Sequence, residues 1–191
     1  MENENELIER ASQGDASAFN ELLGAHEQQM YAVCYRMFGN QPDAQDGLQE
    51  AMLRVFKALP TFKGQSAFST WLYRITMNAC LDELRKRKNR TSTSLDGLIS
   101  DGWSPKSDME SPDEHVIRTE RARVPHAAIQ ELPEEMRSAI VLRDLRGLAY
   151  EEIADMLNVS IGTVKSRISR GREKLREKIM TNAELFDKHR V

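Results

Sequence analysis

Residues 149–178 read AYEEIADMLNVSIGTVKSRISRGREKLREK. Tyr150, Ile153, Ala154 and Leu157 fall at i, i+3, i+4 and i+7, the spacing that puts four side chains on one face of a short helix. Asn158, Val159 and Ser160 interrupt it, and the Ser160 hydroxyl is suited to accept from the first free N–H groups of a second helix. The apolar positions of that second helix, Val164, Ile168, Leu175 and Ile179, recur at helical spacing. The stretch predicts two helices joined by a tight turn.

Between residues 161 and 179 stand seven Lys or Arg against two Glu, interleaved with Thr163, Ser166 and Ser169. Long cations reach phosphates and base edges, while small hydroxyl side chains let the backbone come close to DNA. The second helix therefore reads as the recognition helix of a helix-turn-helix, inserted in a major groove. A merely solvated face would mix signs along i, i+4 pairs.

The chain has 191 residues, 40% hydrophobic and only 6% aromatic, without long β-branched alternation, which predicts an aliphatic core and an all-α fold. No run approaches a membrane span, and the acidic start MENENELIER is unlike a signal peptide, so a cytoplasmic location is expected. Cys34 and Cys80 are expected to be buried free thiols. His26, His115, His126 and His189 have no ligand spacing, so neither metal nor cofactor is expected.

The net charge of −3 conceals patches of opposite sign. Residues 61–90 carry seven Lys or Arg against two acids, as do residues 161–179, within an otherwise acidic chain. Its net field opposes approach to phosphate, which points to a partner that brings it onto DNA.

Taken in order, residues 6–38 read as two helices, the first capped by Asp15 or Ser17 and the second running from about Ala25 to Phe38. Gly39 and Asn40 stop it, and Pro42 and Asp43 begin a third, with Leu48, Met52, Val55, Phe56 and Leu59 on its inner face. Asp46, Gln49, Glu50 and Leu53 form a stripe outside, either a docking surface or a wet face. A loop around Gly64 leads to a helix from about Ser66 to Arg87, ending in the run RKRKNR. Phe62, Phe68, Trp71 and Tyr73 beside those cations have the chemistry of a single-strand platform, although Phe68 is better placed in the core.

Residues 89–112 have a linker composition, with Trp103 as a potential docking residue. Beyond it, helices are expected over His115–Leu132 and Pro133–Arg146, followed by the helix-turn-helix.

QGDASAFNELL, GNQPDAQDGLQEAMLRVFKAL, FKGQSAFSTWLYRITMNACLDELRKRK and LPEEMRSAIVLRDLRGLAYEEIADMLNVSIGTVKSRISRGREKLR stand here in order. They resemble regions 2.1, 2.2, 2.3 to 2.4 and 4 of an extracytoplasmic-function (ECF, group 4) sigma factor of the sigma-70 family. The resemblance implies two small helical domains, region 2 over residues 1–90 and region 4 over 113–180, with a linker at 91–112 and a tail at 181–191. It also implies a non-enzymatic promoter-specificity subunit that binds core RNA polymerase through the β′ clamp helices and the β flap. Asp46, Gln49, Glu50 and Leu53 would dock on the clamp. Gly47 departs from the usual DLVQE, at a helix cost of about 1 kcal/mol relative to alanine.

By the same resemblance Phe62, Lys63, Ser66, Trp71, Arg74, Asn78 and Arg85 would read and melt the −10 element, the loop from Phe62 to Phe68 with Asn78 behind it taking a flipped base. Trp71 is followed by Leu72 instead of a second aromatic, leaving a single wedge suited to near-perfect promoters. Thr163, Lys165, Ser166, Arg167, Ser169, Arg170 and Arg172 would face the −35 element. Within that set Lys165, Ser166, Ser169 and Arg170 face bases, Arg167 and Arg172 suit phosphates, and an arginine reader predicts a guanine in the element. The acidic linker would thread near the template strand and RNA exit path, and an anti-sigma factor would restrain the protein, in some family members at the inner membrane. The alternatives are a stand-alone LuxR-like regulator on a palindromic operator, which has no need of the patch at 61–90, and a nucleic-acid enzyme, for which no catalytic cluster is visible.

Overall fold

The computed structural model describes residues 3–93 and 126–187, and side chains over 3–90 and 126–180. The expected linker between 94 and 112, Trp103 and the helix between 115 and 125 lie outside the described residues. The described chain is helical: α1 (Glu4–Ser12), α2 (Ala16–Gly24), α3 (Glu27–Phe38), α4 (Gln41–Ala58), a 3-10 turn (Leu59–Thr61) and α5 (Phe68–Thr93). After residue 125 come α6 (His126–Gln130), α7 (Glu134–Ile140) running into a π-type turn (Val141–Leu145), α8 (Tyr150–Leu157) and α9 (Ile161–Asp187). None of the described helices is long and apolar enough to cross a membrane.

The N-terminal unit has one helix more than expected. ENELIERAS, too polar to stand out as a periodic stretch, forms α1 and buries only Leu7 and Ala11. Gly14, at φ 96°, turns the chain. Asp15 rather than Ser17 then caps α2, accepting from the Ser17 and Ala18 N–H groups at 2.9 and 3.1 Å. Gly39 ends α3 at φ 85°, and the Asn40 side chain opens α4 by accepting from Asp43 N–H at 3.0 Å.

The core follows helical spacing. On α3, Met30, Val33, Cys34 and Met37 are wholly buried at i, i+3, i+4 and i+7, facing Ala51 and Val55 of α4 and Leu72, Met77 and Cys80 of α5. Full burial of each large apolar side chain contributes about 1.5–3 kcal/mol. Phe56 departs from its expected place: it is 52% exposed and meets Phe19 edge-on at 5.1 Å.

The second unit packs α7 and α8 against α9 and joins the first through the carbonyl end of α3. The last carbonyls of a helix have no partner inside it. Here Gln130 donates to Arg36 O at 2.7 Å, Arg137 to Met37 O at 2.7 Å, and the His126 ring pairs with Gly39 O at 3.1 Å while stacking on Tyr35 at 4.2 Å. Farther along, Thr70 donates to Glu152 at 3.2 Å and Arg146 lies over the Tyr73 ring.

Candidate nucleic-acid interfaces and docking surface

The helix-turn-helix is built as its spacing predicts. Asn158 ends α8 in the left-handed region at φ 51°, and Val159 N–H returns to Ala154 O at 3.0 Å. Ser160 Oγ then accepts from Thr163 N–H at 3.1 Å, so α9 starts where the turn aims it. Val164, Ile168 and Leu175 anchor α9 inward. Gly171 completes that face: a Cβ there would lie 2.5 Å from Ile140 Cδ1, so the glycine permits the close approach of α7. Spacing alone could have pointed to Gly171, midway between Ile168 and Leu175.

Lys165, Ser166, Ser169 and Arg170 are all exposed on one outer face of α9. Ser166 Oγ donates to Thr163 O at 2.9 Å, and Lys165 Nζ lies 5.8 Å from the Tyr150 ring centroid. Thr163 is half-buried and shares a hydrogen bond with Ser160. The two arginines assigned to phosphates already have anions. Arg167 donates to Glu135 at 2.8 Å, and Arg172 grips both Asp144 oxygens, one through Nε at 3.1 Å and the other through its terminal nitrogen. The hydrogen-bonded carboxylate makes the Arg172 guanidinium harder still to deprotonate.

At the start of α5 the aromatics sort by burial. Phe68 is buried, touched by Phe62 at 5.6 Å and Trp71 at 5.7 Å, while Phe62 and Trp71 are half-buried and 5.1 Å apart. Tyr73, expected among the stacking rings, is buried with its hydroxyl donating to Gln29 at 2.9 Å, so unpaired bases cannot reach it. Position 73 lies one step from the inward column of Phe68, Leu72 and Thr76, which the aromatic count overlooked. Lys63, Ser66, Arg74, Asn78 and Arg85 are exposed. Within RKRKNR the cations are unequal: Arg87 forks onto Asp43 at 2.5 and 2.9 Å and bonds Glu83 at 3.2 Å, with Phe38 beneath it.

On α4, Asp46, Gln49, Glu50 and Leu53 share an exposed face at i, i+3, i+4 and i+7, and Phe56 extends it by one step. Gly47 is not on that face. It is buried under Phe38, where a Cβ would sit 2.3 Å from ring carbon Cε2. Arg54, on the polar side of α4, ties Glu50 at 2.7 Å to Asp82 of α5 at 2.6 Å, and its hydrogen bond holds the Glu50 carboxyl below the usual range.

No cluster among the described residues could hold a metal ion. Cys34 and Cys80 are buried free thiols with sulfurs 3.7 Å apart, and their mutual hydrogen bond and burial push the Cys80 thiol well up.

A helix-turn-helix unit docked on a helical unit with its own basic and aromatic surface defines the class: a multi-element DNA reader rather than a duplex-only regulator. Residues 22–90 match sigma-70 region 2 and residues 126–175 match sigma-70 region 4. The chain belongs to the sigma-70 family of RNA polymerase sigma factors, in its ECF group. It is 38% identical to the RNA polymerase sigma-H factor of Pseudomonas aeruginosa, over 91% of this chain and 92% of that one. It is 35% identical to the ECF RNA polymerase sigma factor SigW of Bacillus subtilis, over 90% and 94%. The fold is like that of the Bartonella quintana sigma factor RpoE solved with the anti-sigma factor NepR, at TM-score 0.65 and 24% identity over 85% of this chain and 96% of that one. The LuxR-like alternative is set aside, since it has no place for a region 2.

Proposed function

We propose that this sigma factor works through three surfaces, each assigned to one element. The outer face of α9 reads the −35 element, with Lys165, Ser166, Ser169 and Arg170 toward bases and Thr163, Arg167 and Arg172 toward the backbone. Lysine or arginine reaching guanine O6 and N7 favours a guanine there. Phe62, Lys63, Ser66, Trp71, Arg74, Asn78 and Arg85 hold the opened −10 strand, the two half-buried rings offering stacking and Asn78 offering both donor and acceptor to a flipped base. The α4 stripe of Asp46, Gln49, Glu50 and Leu53 docks on the β′ clamp helices, and region 4 engages the β flap. The protein has no chemistry of its own, acts in the cytoplasm, and is held in check by an anti-sigma factor.

The observation that carries this reading is the pair of exposed cationic faces on separate helices, Lys165 with Arg170 on α9 and Arg74 with Arg85 on α5, the second helix beginning beside the paired, half-buried rings of Phe62 and Trp71. Run-off transcription with core polymerase over a promoter library is the test. Selective initiation that needs both the chain and the core enzyme is expected. Tight promoter capture by the chain alone, with no affinity for the polymerase, would overturn it.

A further inference from the structure

The seven cations of residues 161–179 divide into two sets. Lys165, Arg170, Lys174 and Arg176 meet no carboxylate among the described residues, whereas Arg167, Arg172 and Lys178 are paired with Glu135, Asp144 and Glu131. All three carboxylates come from residues 131–144, the stretch that holds α7 and the π-type turn after it. The Arg172–Asp144 fork uses both carboxylate oxygens, the geometry with which a guanidinium also takes a phosphate. Each pair is open on one side: Arg172 is 52% exposed beside Asp144 at 28%, and Glu135 is 70% exposed beside Arg167 at 21%. Exposed ion pairs of this kind are weak enough to exchange.

We propose that Asp144 and Glu135 are internal stand-ins for DNA phosphate, occupying Arg172 and Arg167 in the free chain so that duplex DNA must displace them. The inference rests on the assignment of α9 to the −35 duplex and adds its regulation. With two cations masked, the basic helix has less undirected pull on any phosphate backbone, while the base-facing Lys165 and Arg170 stay available. A sequence that places its backbone well can recover both arginines, and a random one gains less. Asp144 and Glu135 are thus specificity-setting residues that act through their arginines and touch no base.

The test uses the full-length chain, a short fluorescent duplex of mixed sequence, and anisotropy titrations at several salt concentrations. Asp144→Asn and Glu135→Gln each add one positive charge, so the reference is Glu151→Gln, the same charge change at an exposed α8 position unpaired among the described residues. Each guard variant is expected to bind about three- to tenfold more tightly than that reference at low salt, with a salt slope steeper by about 0.9 for one added phosphate contact. The gain of Asp144→Asn should vanish on an Arg172→Gln background. Each guard stands or falls with its own variant: affinity and slope equal to those of Glu151→Gln overturn it. Because Glu135 is mostly exposed, its variant keeps the test open should Asp144→Asn fold poorly. The underlying assignment fails separately, if Lys165→Ala and Arg170→Ala leave the holoenzyme's discrimination among single-base −35 variants unchanged.

Discussion

Gly47 lies directly beneath the Phe38 ring, so close that a Cβ at position 47 would stand 2.3 Å from Cε2. The departure from the family's usual residue is therefore an inward matter, made on the α3 side of α4 while Asp46, Gln49 and Glu50 look outward. Alanine would recover about 1 kcal/mol of helix propensity, but overpacking under a ring capped by Arg87 costs about 1–3 kcal/mol. Gly47→Ala is expected to lower the urea midpoint, and Phe38→Leu in the same chain to restore part of it. Binding to core polymerase should change little in either.

Arg170 is exposed on the outer face of α9 and meets no carboxylate among the described residues. Its replacement by alanine is expected to cost about 1–3 kcal/mol at a single base position of the −35 element and little elsewhere. Holoenzyme binding to a set of single-base promoter variants reads this directly. Uniform weakening across the set would reassign Arg170 to the backbone.

Leu53 and Phe56, each 52% exposed, stand one step apart on the face that carries Glu50. Apolar side chains left in water next to a polar stripe gain most when a partner covers them, and truncating such an anchor costs about 1–2 kcal/mol or more. Leu53→Ala and Phe56→Ala should each weaken capture of core polymerase by about tenfold, with thermal stability within about 0.5 kcal/mol for Leu53→Ala and lower by about 1 kcal/mol for Phe56→Ala, which also loses its edge contact with Phe19. Unchanged capture in both would remove α4 from the docking surface.

The Asp43 carboxyl is held below its ordinary 3.8 chiefly by the Arg87 hydrogen bonds, with a smaller share from Asn40. A depressed folded-state pKa contributes stability that is present above the unfolded value and lost as pH falls through the folded one. Stability should decline on acidification from about pH 5 toward about pH 2, and less steeply in Asp43→Asn. Urea midpoints measured across that range check the sign, and an identical slope in the variant would exclude the pair as a contributor.

Helices with a strong apolar period were legible, as were their punctuation marks. Gly39, Asn40, Asn158 and Ser160 act as the residue types demand, because capping is a local matter between a side chain and the next few N–H groups. α1 escaped notice because its polar run buries just two side chains, so periodicity has little to register. The wrong depth given to Phe56 and Tyr73 has another cause. Each lies on the border between an inward and an outward column, where the neighbouring helix decides, and that neighbour is remote in sequence. The same limit hid the anions on Arg167 and Arg172. Composition counts cations, but only the folded arrangement shows which of them Glu135 and Asp144 have already taken.

The end of α3 is finished by side chains that the chain supplies about a hundred residues later, at positions 126, 130 and 137. A fragment cut before residue 126 would contain every residue of the first unit yet leave Arg36, Met37 and Gly39 with carbonyls that only solvent can satisfy. Amide exchange in the last turn of that helix should be faster in the fragment than in the whole protein, so the boundary between the two units is not a clean place to cut.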